Sequence, residues 1–153
     1  MSNIKKITIM KTYILTALII AFLSVFSAQA SNKGEIIYTN IEKTENGTIK
    51  EYILYNTITS QAIKKTTYSY DSDNNILSKI EYDWSSLYGW VNNQKHEYEY
   101  NDGLIIYVTH TRWDEKKNKW ATRSEQMAYN YNTDGDFIST QKTNINNELI
   151  TLR

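Results

Sequence analysis

The sequence has no cysteine and no proline. Without cysteine no disulfide can staple the chain, and no thiolate is available as a metal ligand or a nucleophile. Without proline every residue keeps a backbone N–H that a sheet ladder can use. Glycine is scarce, at 5 residues, and none sits in a phosphate-cradling loop. Histidine occurs twice, at His96 and His110, which is too few for a nitrogen-ligated metal centre. Basic and acidic residues balance at 17 each, so the electrostatic footprint of a nucleic-acid binder is missing. The longest apolar run, Ile14 to Phe26, is 13 residues, well short of the roughly 20 that a membrane-spanning helix needs.

That run has another use. Lys5, Lys6 and Lys11 precede it and Ala28-Gln29-Ala30 follows it, the three parts of a secretory signal peptide. Cleavage is expected near Ala30, so residues 1–30 are a leader and residues 31–153 a single domain in the periplasm or outside the cell. Losing three lysines makes the exported chain mildly acidic. No cysteine follows the leader, so no lipid anchor is expected.

What the chain does have is tyrosine, tryptophan, threonine and asparagine. The first three favour strands, and Asn, Asp and Gly punctuate them. The pattern repeats: Tyr70 to Tyr100 is 30 residues, Tyr100 to Tyr131 is 31, and Trp90 to Trp120 is 30. A period of that size marks a repeated supersecondary unit, here a β-hairpin. The expected fold is all-β: an antiparallel meander of eight or nine strands, either a curled sheet or a two-layer sandwich. Turns are expected at Asn46-Gly47, Asp73-Asn74, Asp102-Gly103 and Asp134-Gly135. Strands are expected over Glu35–Ile41, Thr48–Asn56, Gln61–Tyr70, Ile76–Trp84, Trp90–Tyr100, Leu104–Trp113, Trp120–Tyr131 and Asp136–Thr143. A short last one is expected at Glu148–Leu152.

Alternation assigns the faces. Ile76, Ile80, Tyr82 and Trp84 oppose Lys79, Glu81 and Asp83; Trp90, Tyr98 and Tyr100 oppose Lys95, Glu97 and Glu99. The Asp102-Gly103 hairpin has two registers. A two-residue loop pairs Tyr100 with Ile105 and Tyr98 with Tyr107, and puts Trp113 on the tyrosine face. A three-residue loop pairs Tyr100 with Leu104 and Tyr98 with Ile106. Ile76 to Trp84 and Ile105 to Trp113 both span eight residues, which favours the first. His96 and His110 then point to opposite faces, whereas the second register puts them on one.

Chemistry is sparse. Asp71, Asp73, Asn74 and Asn75, with Asp134, Gly135 and Asp136, look like fragments of a calcium loop, but tight turns require the same residues. Glu97 with Glu99, and Glu81 with Asp83, sit about 7 Å apart along a strand, the spacing of a solvated charged face rather than of two carboxyls across a cleft. No catalytic residues and no cofactor are expected. The tryptophans offer the one candidate ligand site. Trp90 and Trp120 begin their strands, where rings stay partly solvated, with Asn92, Asn93 and Arg123 near in sequence to donate hydrogen bonds. Trp84 and Trp113 end theirs and are expected in the core.

The series Tyr68-x-Tyr70, Ile76-Leu-Ser-Lys79, Trp84 to Trp90-Val-Asn-Asn, Tyr98-x-Tyr100, Ile105-Ile-Tyr107 and Trp113 to Trp120 resembles the small secreted proteins of Bacteroides-type bacteria catalogued as domain of unknown function 3836. The resemblance runs from about Tyr38 to Asn144. It implies an exported all-β protein of a gut-type Gram-negative bacterium and supplies no activity, substrate or catalytic residue. The functional expectation is therefore a non-catalytic binding or interaction module of the cell envelope. Its partner would be a glycan or an envelope protein, not nucleic acid, and it would not insert into a membrane. The alternatives are a structural protein assembling through an edge strand and, behind it, a glycan-active hydrolase.

Overall fold

The computed structural model describes residues 34–146; the leader and the strand expected at Glu148–Leu152 lie outside the described residues. Nine antiparallel strands follow one another: β1 (Glu35–Thr44), β2 (Gly47–Asn56), β3 (Gln61–Tyr70), β4 (Ile76–Ser85), β5 (Gly89–Asn101), β6 (Leu104–Asp114), β7 (Lys119–Trp120), β8 (Arg123–Tyr131) and β9 (Phe137–Asn146). They form one open meander in the order β1-β2-β3-β4-β5-β6-β8-β9, with β7 pairing β6. Extensive contacts between strands are those between sheet neighbours. The sheet is thus a single layer, and the two-layer alternative is not adopted. The expected strand Trp120–Tyr131 is split, because Ala121 and Thr122 absorb a two-residue shift between the β6–β7 and β6–β8 registers.

The turns are of two kinds. Asp102 (φ 49°) and Gly103 (φ 76°) form a two-residue loop with both residues left-handed, the primed turn that matches strand twist. The other two repeat hairpins close with five residues. Asp71 N–H donates to Asn75 O at 2.9 Å while Asn75 N–H returns to Asp71 Oδ1 at 2.7 Å. Sixty-one residues on, Asn132 N–H donates to Asp136 O at 2.9 Å and Asp136 N–H to Asn132 Oδ1 at 2.8 Å. Asp71 spends its carboxylate on this turn, as an Asx residue does. The first hairpin turns one residue early, on Glu45 and Asn46, with Gly47 already paired to Thr44. Gly47 is needed for another reason: a Cβ there would lie 1.9 Å from the Tyr70 carbonyl oxygen.

Bulges decide the faces. Pairing skips Ile63 in β3, Leu77 in β4, Asn93 in β5, Ile106 in β6 and Ile138 in β9. Each skipped residue reverses the alternation of everything beyond it. At the Asp102-Gly103 hairpin Tyr100 pairs Ile105, as in the two-residue register, but past Ile106 Tyr98 pairs Val108 and His96 pairs His110. The histidines therefore share a face, with rings stacked 4.8 Å apart. In β4 the bulge at Leu77 moves Ile76 away from Ile80, Tyr82 and Trp84 to the side of Lys79, Glu81 and Asp83. In β5 the bulge at Asn93 separates Trp90 from Tyr98 and Tyr100.

Two aromatic clusters result, on opposite faces and at opposite ends. One face gathers Tyr68, Tyr70, Tyr98, Tyr100, Tyr129 and Tyr131 near the 71–75, 102–103 and 132–136 turns. Ile76, Ile105 and Phe137 sit directly across from Tyr70, Tyr100 and Tyr131. Successive hairpins are clasped there, Tyr100 OH donating to Ile76 O at 3.0 Å and Tyr131 OH to Ile105 O at 2.8 Å. The other face carries all four tryptophans at the far end. Among the described residues the buried apolar side chains are only Tyr68, Ile76 and Ile105; Thr66, Glu81, Thr109, Thr111 and Ser124 are buried with them. In one layer, small side chains are covered by larger neighbours lying across them.

Candidate functional site

The tryptophans meet as cross-strand pairs. Trp84 is directly opposite Trp90, with centroids 5.0 Å apart at 74°, and Trp113 opposite Trp120, 5.1 Å apart at 82°. Edge-to-face contacts of this kind are worth about 0.5–1.5 kcal/mol each beyond burial. Both pairs stand on the face of Lys65 and Lys95. Lys65 Nζ lies 5.3 Å from the Trp90 ring and 4.5 Å from the Tyr82 ring, and Lys95 Nζ lies 5.3 Å from the Trp120 ring. Trp113 is therefore not on the tyrosine face. Trp84 is not core either: it is 43% exposed, while Trp90 and Trp120 are half-buried under their lysines.

Of the five predicted site residues, Trp90, Trp120 and Asn92 share this face; Asn92 pairs Tyr82. Asn93 is the bulge residue and its amide bonds Asp83 on the other face. Arg123 heads β8 beside Asn146, two residues from Glu125 and on the same side as it, away from the tryptophans. Sequence reasoning missed the loop between the first pair. Leu87 and Tyr88 are 82% and 81% exposed beside Trp84, held by a turn in which Leu87 and Tyr88 N–H donate to Ser85 Oγ at 3.3 and 3.4 Å. The signal was the five-residue spacing between Trp84 and Trp90, which fixes a hairpin tip of apolar residues. The site is thus an aromatic tip, able to stack on a ring or an apolar surface.

A second constellation crosses the opposite face. Glu81, 4% exposed, takes Lys64 Nζ at 2.5 Å and Gln94 Nε2 at 3.1 Å on Oε2, and Lys79 Nζ at 2.6 Å on Oε1. Gln94 thereby turns its amide oxygen to His110, whose Nε2–H donates at 3.0 Å. His110 Nδ1 lies 3.7 Å from Glu125, which is bound by Lys142 at 3.1 Å. This series of polar contacts reaches from β3 to β9, its widest step the 3.7 Å between His110 and Glu125. Burial pushes the Glu81 carboxyl up, but hydrogen bonds and charge from Lys64 and Lys79 outweigh it and hold it down at about 2. With both oxygens occupied, Glu81 is a fixed charge and a poor proton acceptor. Burial, then the charges of His110 and Lys79, push His96 down to about 4. Among the described residues no three His, Cys, Asp or Glu side chains converge as a metal site.

Two solved structures resemble this chain. One is a DUF3836 family protein from Parabacteroides distasonis ATCC 8503, 14% identical, with a TM-score of 0.42 over 75% of this chain and 94% of its own. The other is a DUF3836 family protein from Bacteroides vulgatus ATCC 8482, 17% identical, with a TM-score of 0.42 over 72% of this chain and 99% of its own. Among proteins with curated descriptions, none matches. Residues 4–131 match the Family of unknown function (DUF3836). With most of its length so matched, the chain belongs to the DUF3836 family.

Proposed function

We propose that this protein is exported under its leader and acts as a non-catalytic binding module of the cell envelope, with a glycan or an envelope protein as partner. The observation that carries the reading is the aromatic tip. Trp84, Leu87 and Tyr88 stay exposed together at one end of the sheet, whereas Trp90 and Trp120 lie under lysines and Tyr100 and Tyr131 are held by their hydroxyl clasps. An aromatic ring left to solvent at a hairpin end gains most when a sugar ring or an apolar surface covers it. Asn92 lies on the same face to add direction. Glu81, the most buried carboxylate among the described residues, is saturated by its partners, which supports a binding role over hydrolysis. Charged side chains on both faces of an open sheet support a protein that stays out of the bilayer.

The test is a glycan array, probed with the exported chain and with Trp84→Ala and Tyr88→Ala. Binding that falls at least tenfold in both variants supports the site; binding that survives both removes it. Acrylamide quenching locates the exposed ring: Trp84→Phe should remove most of the accessible emission, and Trp90→Phe or Trp120→Phe little.

A second reading, assembly through an edge strand, is favoured by one observation. Among the described residues β1 ends the sheet, with Ile36, Ile37, Tyr38 and Ile41 all exposed.

A further inference from the structure

β1 is the regular strand of this sheet. Its ten pairs with β2 run without a bulge, whereas five of the other ladders each carry one. Among the described residues its outer edge has no strand partner. Soluble proteins blunt such an edge with a bulge, a proline, a central lysine or an inward charge. β1 has none of these between Ile36 and Ile41, and Tyr38 and Ile41 are 54% and 55% exposed. The opposite edge, β9, is polar along most of its length, and its one charged residue, Lys142, is engaged by Glu125.

The sequence of β1 is also its own complement. Glu35, Ile37, Thr39, Ile41 and Lys43 alternate onto one face, since Ile37, Thr39 and Ile41 pair Leu54, Tyr52 and Lys50. Read backwards against itself and centred on Thr39, the strand sets Glu35 across from Lys43, Ile37 across from Ile41 and Thr39 across from Thr39. The twofold symmetry of an isologous contact makes each unlike pair twice. Directly opposite side chains on one face are the unit of sheet pairing, and opposite charges there attract. Slipping by two residues one way sets Glu35 against Glu45; slipping the other way carries Lys43 past Glu35 and off the end of the strand.

We propose that two copies of this protein pair through β1, antiparallel and centred on Thr39, so that two sheets become one continuous sheet. This deepens the assembly reading by naming the partner, the strand and the register. Backbone N–H and C=O groups of both edges complete each other's ladder, as in strand addition generally.

Light scattering on size-exclusion chromatography, with the exported chain over a concentration series, reads the mass directly. The expected result is a mass that doubles with concentration and goes no further. Glu35→Lys and Lys43→Glu should each lose the dimer, because each places like charges at both ends of the pair. Neither residue is buried, and circular dichroism checks that both variants keep their strands. Mixed one to one, the two variants should recover the dimer. In that heterodimer the introduced lysine of one chain faces the introduced glutamate of the other, and the retained Lys43 faces the retained Glu35. Because the chain has no cysteine, Thr39→Cys supplies a second measurement: it should give a covalent dimer on oxidation, and Asn40→Cys should not. A dimer indifferent to both charge changes overturns this register while leaving the assembly reading standing. A chain that is monomeric at every concentration, or that grows past the dimer, overturns the proposal itself.

Discussion

Glu81 gathers two lysines and a glutamine on one buried carboxylate, and with His96 it makes the protein sensitive to acid in a defined way. His96 ordinarily titrates near 6.5 but in the fold only at about 4. Between those values the unfolded chain binds a proton that the folded chain refuses, so stability falls as pH drops through that window. Glu81 ordinarily titrates near 4.5 but in the fold at about 2. Its contribution is complete above about 4.5 and is lost as pH falls towards 2. Denaturant melts from about pH 7 to about pH 2 should show two successive losses, the upper one flattened by His96→Gln and the lower one by Glu81→Gln. At neutral pH Glu81→Gln should itself cost about 3 kcal/mol, by leaving Lys64 and Lys79 without their shared counter-charge. An unchanged melting midpoint would mean the relay is incidental to stability.

At the scale of single elements, turns and bulges do different work. Gly47→Ala should cost about 3 kcal/mol or more, because the new methyl collides with the Tyr70 carbonyl of β3. Gly103→Ala has open space around it and should cost about 1 kcal/mol, for its left-handed backbone alone. Comparing the two melts separates contact from conformation. Tyr100→Phe and Tyr131→Phe should each lose about 1 kcal/mol with their hydroxyl clasps, and Tyr38→Phe, at the exposed edge, close to nothing. The strands and the repeat turns were legible in the sequence, since alternation and Asp-Gly or Asn-Asn signals are local. The faces were not. A bulge is one residue without a partner, and nothing in a single strand's alternation says where the neighbouring strand will skip. A trace of it was present: an aliphatic or aromatic residue and then an aliphatic one follow each repeat turn, as Ile76-Leu77, Ile105-Ile106 and Phe137-Ile138. Each time the second member is the one left over. That trace would have moved Glu81 to the side of Ile76 and separated Trp84 and Trp113 from the tyrosines, whereas the reversal of Trp90 rests on the bulge at Asn93, which no such pair announces. The aromatic tip was half legible. The spacing placed it, but Trp84 is more open than Trp90 or Trp120: the bulge at Asn93 turns Trp90 under Lys65, and Lys95 lies over Trp120.

For the molecule as a whole, a single layer means little apolar surface leaves water when the chain folds. With three buried apolar residues among those described, stability rests on ladders, cross-strand pairs and the polar relay. The heat-capacity change of unfolding should therefore fall below the ~12–15 cal/mol/K per residue usual for globular domains. Scanning calorimetry on the dilute chain checks it, and a value in the usual range would mean that the faces are covered. Intact-mass measurement on protein from the envelope fraction should show a chain beginning at Ser31; a mass that retains residues 1–30 would remove the leader from the account.

The tyrosine clasps carry a further consequence, for length. Tyr100 holds the hairpin behind it by the same bond with which Tyr131 holds the next, so the joint between neighbours is a standard fitting rather than a closure peculiar to this protein. Nothing in such a joint counts units. A second copy of residues 71–100 inserted after Tyr100 would meet Tyr100 as the original meets Tyr70, and would offer its own last tyrosine to Asn101 and the remaining strands. The lengthened chain should unfold in one cooperative step with a steeper denaturant dependence, as its added surface requires. In that sense the gene encodes a width that duplication can change without redesigning either end.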